Sequence, residues 1–445
     1  MNYRQYFSGQ NIVLMGLGAL GRGVGDARFL AECGAEVLVT DRKPAEELEV
    51  SVKELKKFPN ITFRLGGHRK EDFKAADLVI KSAGVPYNSP YLKAARKNGV
   101  PIKMSTALFA RFSPSMLVGI TGTRGKSTVT HCLEHILRTA GRKIFVGGNV
   151  RGVSTLAHLP MSTADELSVL ELDSWQLQGF GEESISPQLA VFTALMRDHM
   201  NYYKNDFDRY LADKANIFIN QNPTEHLVLG EQCAKLVRQR YPDIVSQVAV
   251  VGEADLPADW RLLIPGRHNR YNVALARRAA TVLGLSDEEI RPALESFAGV
   301  PGRLEYLGQK QGVHIYNDNN ATTPDATLAA LEALGEYRGR IVLIGGGADK
   351  ELDFAEYAQA VPEYVKRLVL LAGEATDKIR QLLPGEVQPT VTDSLEQALD
   401  EAIGAAEPGE VMLFSPAAAS FNMFRHEYER SDRFTELVDQ LPGSD

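Results

Sequence analysis

The stretch "LVGITGTRGKSTVTHCLEHILRTAG", residues 117–141, is an apolar run, a tight glycine turn and then a helical pattern. That order constrains the fold more than any other feature of the chain. A buried strand feeding a glycine turn at a helix N-terminus is a phosphate-binding device, and it belongs to layered α/β domains with parallel sheets. The turn is not a strict Walker A motif, because Ile120 stands where that pattern has glycine; its core is GxxGKS. Gly122, Thr123, Gly125, Lys126, Ser127 and Thr128 are the candidate nucleotide-binding residues. Lys126 would reach the β- and γ-phosphates, and the Ser127 hydroxyl could ligate Mg²⁺. Motors, switches, kinases and ligases all use such a loop, so the reaction has to be read elsewhere.

A second glycine turn lies upstream. Gly16, Gly18 and Gly21 form GxGxxG after the strand "NIVLM", and Asp41 ends the next strand, about 20 residues on. A NAD-linked oxidoreductase, another nucleotide diphosphate, or glycines needed only for strand–helix packing all fit this turn.

Strands alternate with helical stretches along the 445 residues. "EVLVTD" and "DLVIKSAG" extend the first unit. "MLVGIT", "LSVLEL" and "LAVFTAL" mark a second, and "VHIYND", "RIVLIGGG", "RLVLLAG" and "VMLFSP" a third. The expected domains are 1–109, 110–300 and 301–445. The net charge of −8 argues against nucleic acid or an anionic membrane as partner. No apolar stretch approaches the ~20 residues of a membrane span. Cys33, Cys132 and Cys233 are far apart, so a reducing cytoplasm fits best. Metal-bound phosphate needs hard oxygen ligands. Glu171, at the end of "LSVLEL", and Asp198 with His199, after the next strand, are the candidates.

The motifs "GLGALGRG", "TGTRGKST", "GGNVRG", "VLELDSWQL", "DHMNYY", "ADKANIF", "GRHNRYNV", "GVPGRLE", "YNDNNATTP", "LIGGGADKELDF" and "SPAAASFNMF" occur in this order over nearly the whole chain. Together they resemble the Mur ligase family. The resemblance implies Rossmann-like N- and C-terminal domains around a central P-loop ATPase-like domain. It also implies an ATP- and Mg²⁺-dependent amide-forming ligase of peptidoglycan precursor synthesis. UDP-N-acetylmuramoyl-L-alanine and glutamate are the implied substrates, and the chain is expected to act as a monomer. A carboxylate would take the γ-phosphoryl group of ATP, and an amine would then attack the acyl phosphate. Both steps gather negative charge, so cations at the phosphates are the expected catalysts.

By position, the resemblance makes Ser127 and Glu171 magnesium ligands and His199 a second-metal ligand or orienting group. Lys214 matches a lysine that becomes carbamylated and ligates metal. Asn269 and Asn272 fall at the adenine side, Arg303 at the ATP phosphates and Asp318 at the ribose or hinge. The first turn then binds UDP, with Gly18, Ala19 and Leu20 at the diphosphate and Asp41 and Arg42 at the uracil. Ser82, Gly84 and Asn149 complete that site. Thr322, Lys350, Ser420 and Phe421 match the pocket for the incoming amino acid. Asn319 and Asn320 replace the commoner Ser and Lys, removing one cation, and Glu427 falls where an aromatic is usual. Arg425 or Arg430 would have to offset that carboxylate. These departures bear on which amino acid is used, D-glutamate, L-glutamate or another. Folylpolyglutamate synthase-like enzymes share the central domain but lack the N-terminal nucleotide domain.

Overall fold

A computed structural model describes residues 2–17, 21–421, 423–424 and 427–443, with the backbone alone at residue 427. Three sheets follow one another along the chain. The first contains β1 (Asn11–Met15), β2 (Glu36–Thr40), β3 (Ile61–Arg64), β4 (Leu78–Lys81) and β5 (Ile102–Lys103), in the order β3-β2-β1-β4-β5. All its pairings are parallel. The order reverses at β1, so a crevice opens beyond the strand ends where the first glycine turn lies.

The second sheet contains β6 (Met116–Thr121), β7 (Ile144–Gly148), β8 (Leu167–Glu171), β9 (Leu189–Phe192), β10 (His226–Gly230) and β11 (Gln247–Val251). Its order is β11-β10-β9-β6-β8-β7, again all parallel. β6 carries the phosphate loop at its end and sits between β8 and β9. Gly119 in β6 is packed so closely that a Cβ there would run into the ring of Pro187.

The third sheet contains β12 (Glu305–Lys310), β13 (Val313–Asn317), β14 (Ile341–Gly346), β15 (Val365–Leu371), β16 (Thr390–Thr392) and β17 (Val411–Phe414). Its order is β12-β13-β17-β14-β15-β16, and only β12 runs antiparallel. The apolar run of β14 follows from burial on both faces. Ile341 and Leu343 enter one core and Val342 and Ile344 the other. β1 divides in the same way, with Ile12 and Leu14 on one face and Val13 and Met15 on the other. Among the described residues no helix is long and apolar enough to cross a membrane, and the three cysteines are buried free thiols.

The chain forms two compact units. Residues 1–255 and 274–290 hold the first two sheets; residues 256–273 and 291–445 hold the third. Within the first unit one apolar core runs from the first sheet to the second through Met104, Leu108 and Phe109. A polar latch accompanies it. Asp26, in the helix Arg22–Glu32, accepts a 2.6 Å bond from the Ser154 hydroxyl. Burial raises the Asp26 carboxyl to about 6.

That shift makes the first unit sensitive to pH. The folded-state value lies above that of the unfolded chain, so between about pH 4 and 6 the folded state binds more protons. Stability from this group is complete below about pH 4 and is lost as pH rises through 6, by up to about 3 kcal/mol. Asp26→Asn keeps an acceptor for Ser154 and removes the titration. Urea midpoints followed from pH 4 to 7 should fall more steeply in the wild type than in the variant. Equal slopes would show that Asp26 is not the titrating latch.

Candidate active site

The first glycine turn is fastened by its neighbours. Ser82 donates through Oγ to the Gly16 carbonyl at 2.9 Å. Asp41, just past β2, accepts from the Leu17 N–H at 2.8 Å and the Lys43 N–H at 3.0 Å. Gly18, Ala19 and Leu20 lie outside the described residues. Beside this turn is a cavity of about 300 Å³ whose walls come from the first and second sheets. Ser82, Gly84 and Asn149, which the resemblance assigns to one site, line it together. Asp41 and exposed Arg42 are not in its lining.

Among the lining residues that the sequence did not single out are Arg22, Asp26, Lys81 and Trp175. A charge closing the apolar strand "LVIK" was the available signal for Lys81. Its side chain is buried, donating to the Val85, Ala83 and Ser82 carbonyls at 3.0, 3.3 and 3.4 Å. The ammonium lies 4.4 Å from the centre of the Tyr87 ring, and burial lowers its pKa to about 8.

The second turn is built around Gly122. Its φ is +151°, and a Cβ there would collide with the Thr193 hydroxyl, so the loop requires glycine. Gly125, at φ +84°, ends the turn and starts the helix Lys126–Thr139. Thr123 holds the loop to the protein. Its N–H donates to the Ala194 carbonyl at 2.6 Å, and its hydroxyl bonds the Met196 carbonyl at 3.1 Å and the Tyr210 hydroxyl at 3.0 Å. Ser127 and Thr128 lie half-buried in the first turn of the helix.

Lys126 folds back, its Nζ 3.1 Å from the Gly122 carbonyl. Lys214, from the helix Phe207–Ala215, reaches the same oxygen at 2.8 Å and the Thr121 hydroxyl at 3.4 Å. Lys214 is only 2% exposed. Burial first, and the charge of Lys126 second, lower its pKa to about 7. The amine is therefore substantially neutral near neutral pH.

Two further candidates border the loop. Glu171 ends β8 directly opposite Ile120, and its Oε1 accepts from the Asn149 amide at 3.3 Å. His199 adopts a left-handed φ of +55°, uncommon for a residue with a Cβ, and its ring centre lies 4.7 Å from that of Trp175. Its Nε2 is 3.8 Å from an Asp198 oxygen. Among the described residues no three His, Cys, Asp or Glu side chains cluster as a metal site.

The second unit carries the remaining candidates. Asn269 and Asn272 are both buried and lie on one face of the helix Arg267–Val282. The Asn269 amide donates to the Pro265 carbonyl at 2.7 Å. Asp318 accepts from the Leu304 N–H at 3.0 Å and the Ser415 hydroxyl at 2.7 Å. Burial raises its carboxyl to about 7, against the nearby charge of Arg303. Arg303 itself closes a tight bend, its N–H bonding the Val300 carbonyl at 2.9 Å.

Lys350 lies 3.4 Å from the Thr322 hydroxyl and 5.8 Å from the centre of the Phe421 ring. A short bridge between Ala348 and Ala419 brings these segments together. The Ser420 hydroxyl is buried with no hydrogen-bond partner among the described residues, a donor left to seek an acceptor. Phe421 is 63% exposed. Asn319 has an internal role: Arg430, fully buried, donates to its side-chain oxygen at 2.6 Å and its carbonyl at 3.1 Å. Arg425 and the Glu427 side chain lie outside the described residues.

Comparison with known proteins gives this arrangement its context. Three family models match in chain order: the Mur ligase MurD-like N-terminal domain at residues 10–104, the Mur ligase middle domain at 120–261 and the Mur ligase glutamate ligase domain at 302–418. A Roseiflexus protein named UDP-N-acetylmuramoylalanine–D-glutamate ligase is 36% identical, over 98% of this chain and 99% of its own. The solved UDP-N-acetylmuramate–alanine ligase from Thermotoga maritima shares the fold at a TM-score of 0.59 and 20% identity, covering 97% of this chain and 99% of its own. A MurF ligase from the same organism, solved in complex with ADP, superposes at 0.57 and 16% identity, covering 98% and 96%. With three domain models in register and a relative this similar from end to end, the chain belongs to the Mur ligase family.

Proposed function

We propose that this chain joins D-glutamate to UDP-N-acetylmuramoyl-L-alanine with hydrolysis of ATP, through an acyl phosphate, in peptidoglycan precursor synthesis. The observation that carries the reading is the pair of lysines on the Gly122 carbonyl, one at the phosphate loop and one buried and neutral-leaning beneath it. The name carried by the Roseiflexus relative supports the choice of substrates. The domain limits proposed are 1–109, 110–300 and 301–445, with a monomer working in the cytoplasm.

ATP would lie on the loop, with Lys126 swinging from the Gly122 carbonyl to the β- and γ-phosphates and Ser127 and Thr128 beside them. Asn269 and Asn272 would serve the adenine, Arg303 the phosphates and Asp318 the ribose side. The alanine carboxylate oxygen attacks the γ-phosphorus; that O–P bond forms as the bond to ADP breaks. The glutamate amine then attacks the acyl carbon and loses a proton, and phosphate departs. Lys126 would offset the negative charge that grows in both steps, a role the family resemblance also gives Arg303.

The donors fit magnesium. Glu171 keeps Oε2 without a partner among the described residues, and Ser127 offers a hydroxyl. A carbamate on Lys214, formed by its neutral amine and CO₂, would add a third hard oxygen ligand, with His199 as a further ligand or orienting group. Magnesium, when bound, neutralises phosphate charge.

Lys350, Thr322 and Ser420 would take the glutamate carboxylates, with Phe421 at the rim. A single charge-assisted bond is worth ~1.5–3 kcal/mol, so neutral amino acids should bind roughly ten- to a hundredfold more weakly. The test is phosphate release from ATP with UDP-N-acetylmuramoyl-L-alanine and a panel of D- and L-amino acids. D-Glutamate should support turnover, and Lys126→Ala should abolish it. Turnover with L-glutamate alone would overturn the stereochemical choice. Preference for a neutral or basic amino acid would refute the pocket, and undiminished turnover in Lys126→Ala would refute the ATP site.

A further inference from the structure

Arg22 is the first residue of the helix Arg22–Glu32 and directly follows Gly21, whose φ of +79° ends the first glycine turn. It lines the same cavity as Ser82, Gly84 and Asn149. Its guanidinium crosses from the first sheet's domain to the second's. Nε donates to the Val150 carbonyl at 3.0 Å and Nη1 to the Asn149 side-chain oxygen at 3.2 Å.

Both acceptors are neutral. Among the described residues no carboxylate lies within ion-pair distance of Arg22, and Nη2 has no partner. The two groups bonded to this permanent charge do not neutralise it; the acid coupled to it electrostatically is Asp26, one turn along the same helix and outside ion-pair distance. The two acids lining the cavity are each engaged elsewhere: Asp26 accepts from the Ser154 hydroxyl and Asp173 caps its own helix at the Gln176 N–H.

The cavity has a second cation, Lys81, but it is differently placed. Its ammonium is buried and bonded to three carbonyls of the turn that follows β4. It shapes that turn and has no donor left over. Among the described residues that line the cavity, Arg22 combines spare donors with a helix N-terminus that itself favours an anion.

We propose that Arg22 is the cation that takes the diphosphate of the sugar nucleotide, exchanging the Asn149 oxygen for phosphate oxygens as the ligand enters. This rests on the first cavity being the sugar-nucleotide site. The planar fork of guanidinium donors matches two phosphate oxygens at once. Asn149 would then keep its bond to Glu171 and turn a newly freed oxygen to the ligand. Arg22 thereby becomes a specificity residue: it distinguishes a nucleoside diphosphate from a nucleoside.

The test uses UDP and uridine as probes on the full-length protein, titrated by calorimetry or by competition. In the wild type UDP should bind far more tightly than uridine. Arg22→Gln should weaken UDP roughly ten- to a hundredfold and leave uridine unchanged. Arg22→Lys, which keeps the charge and loses the fork, should fall between. Binding of a non-hydrolysable ATP analogue, unchanged in both variants, reports that the protein is folded. Undiminished UDP binding in Arg22→Gln would overturn the role of Arg22 and leave the cavity assignment standing. A wild type that gains nothing from the diphosphate would remove both.

Discussion

The carbonyl oxygen of Gly122 accepts two amines, Lys214 at 2.8 Å and Lys126 at 3.1 Å. Much of the central domain serves that contact. Gly122 can lie against Thr193 only because it has no side chain. Thr123 ties the loop to Ala194 and Met196, so the carbonyl points where both lysines reach it. Two like charges on one oxygen, one of them buried, cannot both persist at low cost. The buried one yields, and its pKa drops to about 7. A lysine that ordinarily only carries charge is thereby left with a largely neutral amine, the form that the proposed reaction with CO₂ requires.

The sheets bring the remaining groups to this point. Parallel strands end on one edge, and ligands of open α/β sheets collect there. β6 delivers the phosphate loop and β8 delivers Glu171 beside it. Asn149, after β7, bonds Glu171 on one side and Arg22 on the other. One amide therefore joins the wall of the proposed sugar-nucleotide cavity to a proposed magnesium ligand. That link gives a physical route by which one substrate could influence the setting of the other.

The phosphate loop was legible in the sequence because its chemistry is local: strand, glycine turn, Lys126 and Ser127 are contiguous. The strands of the third sheet were legible for a similar reason, since burial on both faces leaves unbroken runs such as "IVLI". Strands β3, β5, β7, β10, β11, β12 and β16 were not read. β7 ends in two glycines and β16 has three residues; neither gives a clear period. Lys214 was visible only through family resemblance, because a lysine in an amphipathic helix reads as a solvated charge until its burial is known. Arg22, Asp26, Lys81 and Trp175 were missed because a cavity between two domains is assembled from residues far apart in sequence. Asn319 seemed to concern substrate choice; its bonds to buried Arg430 make it part of the scaffold.

On the proposed mechanism, the lysine beneath the phosphate loop works as a carbamate. Carbon-13 NMR of the protein equilibrated with ¹³C-bicarbonate tests it most directly. A carbamate carbon resonance should appear in the wild type and disappear in Lys214→Ala, together with most of the activity. Fully active wild-type protein with no such resonance would contradict it.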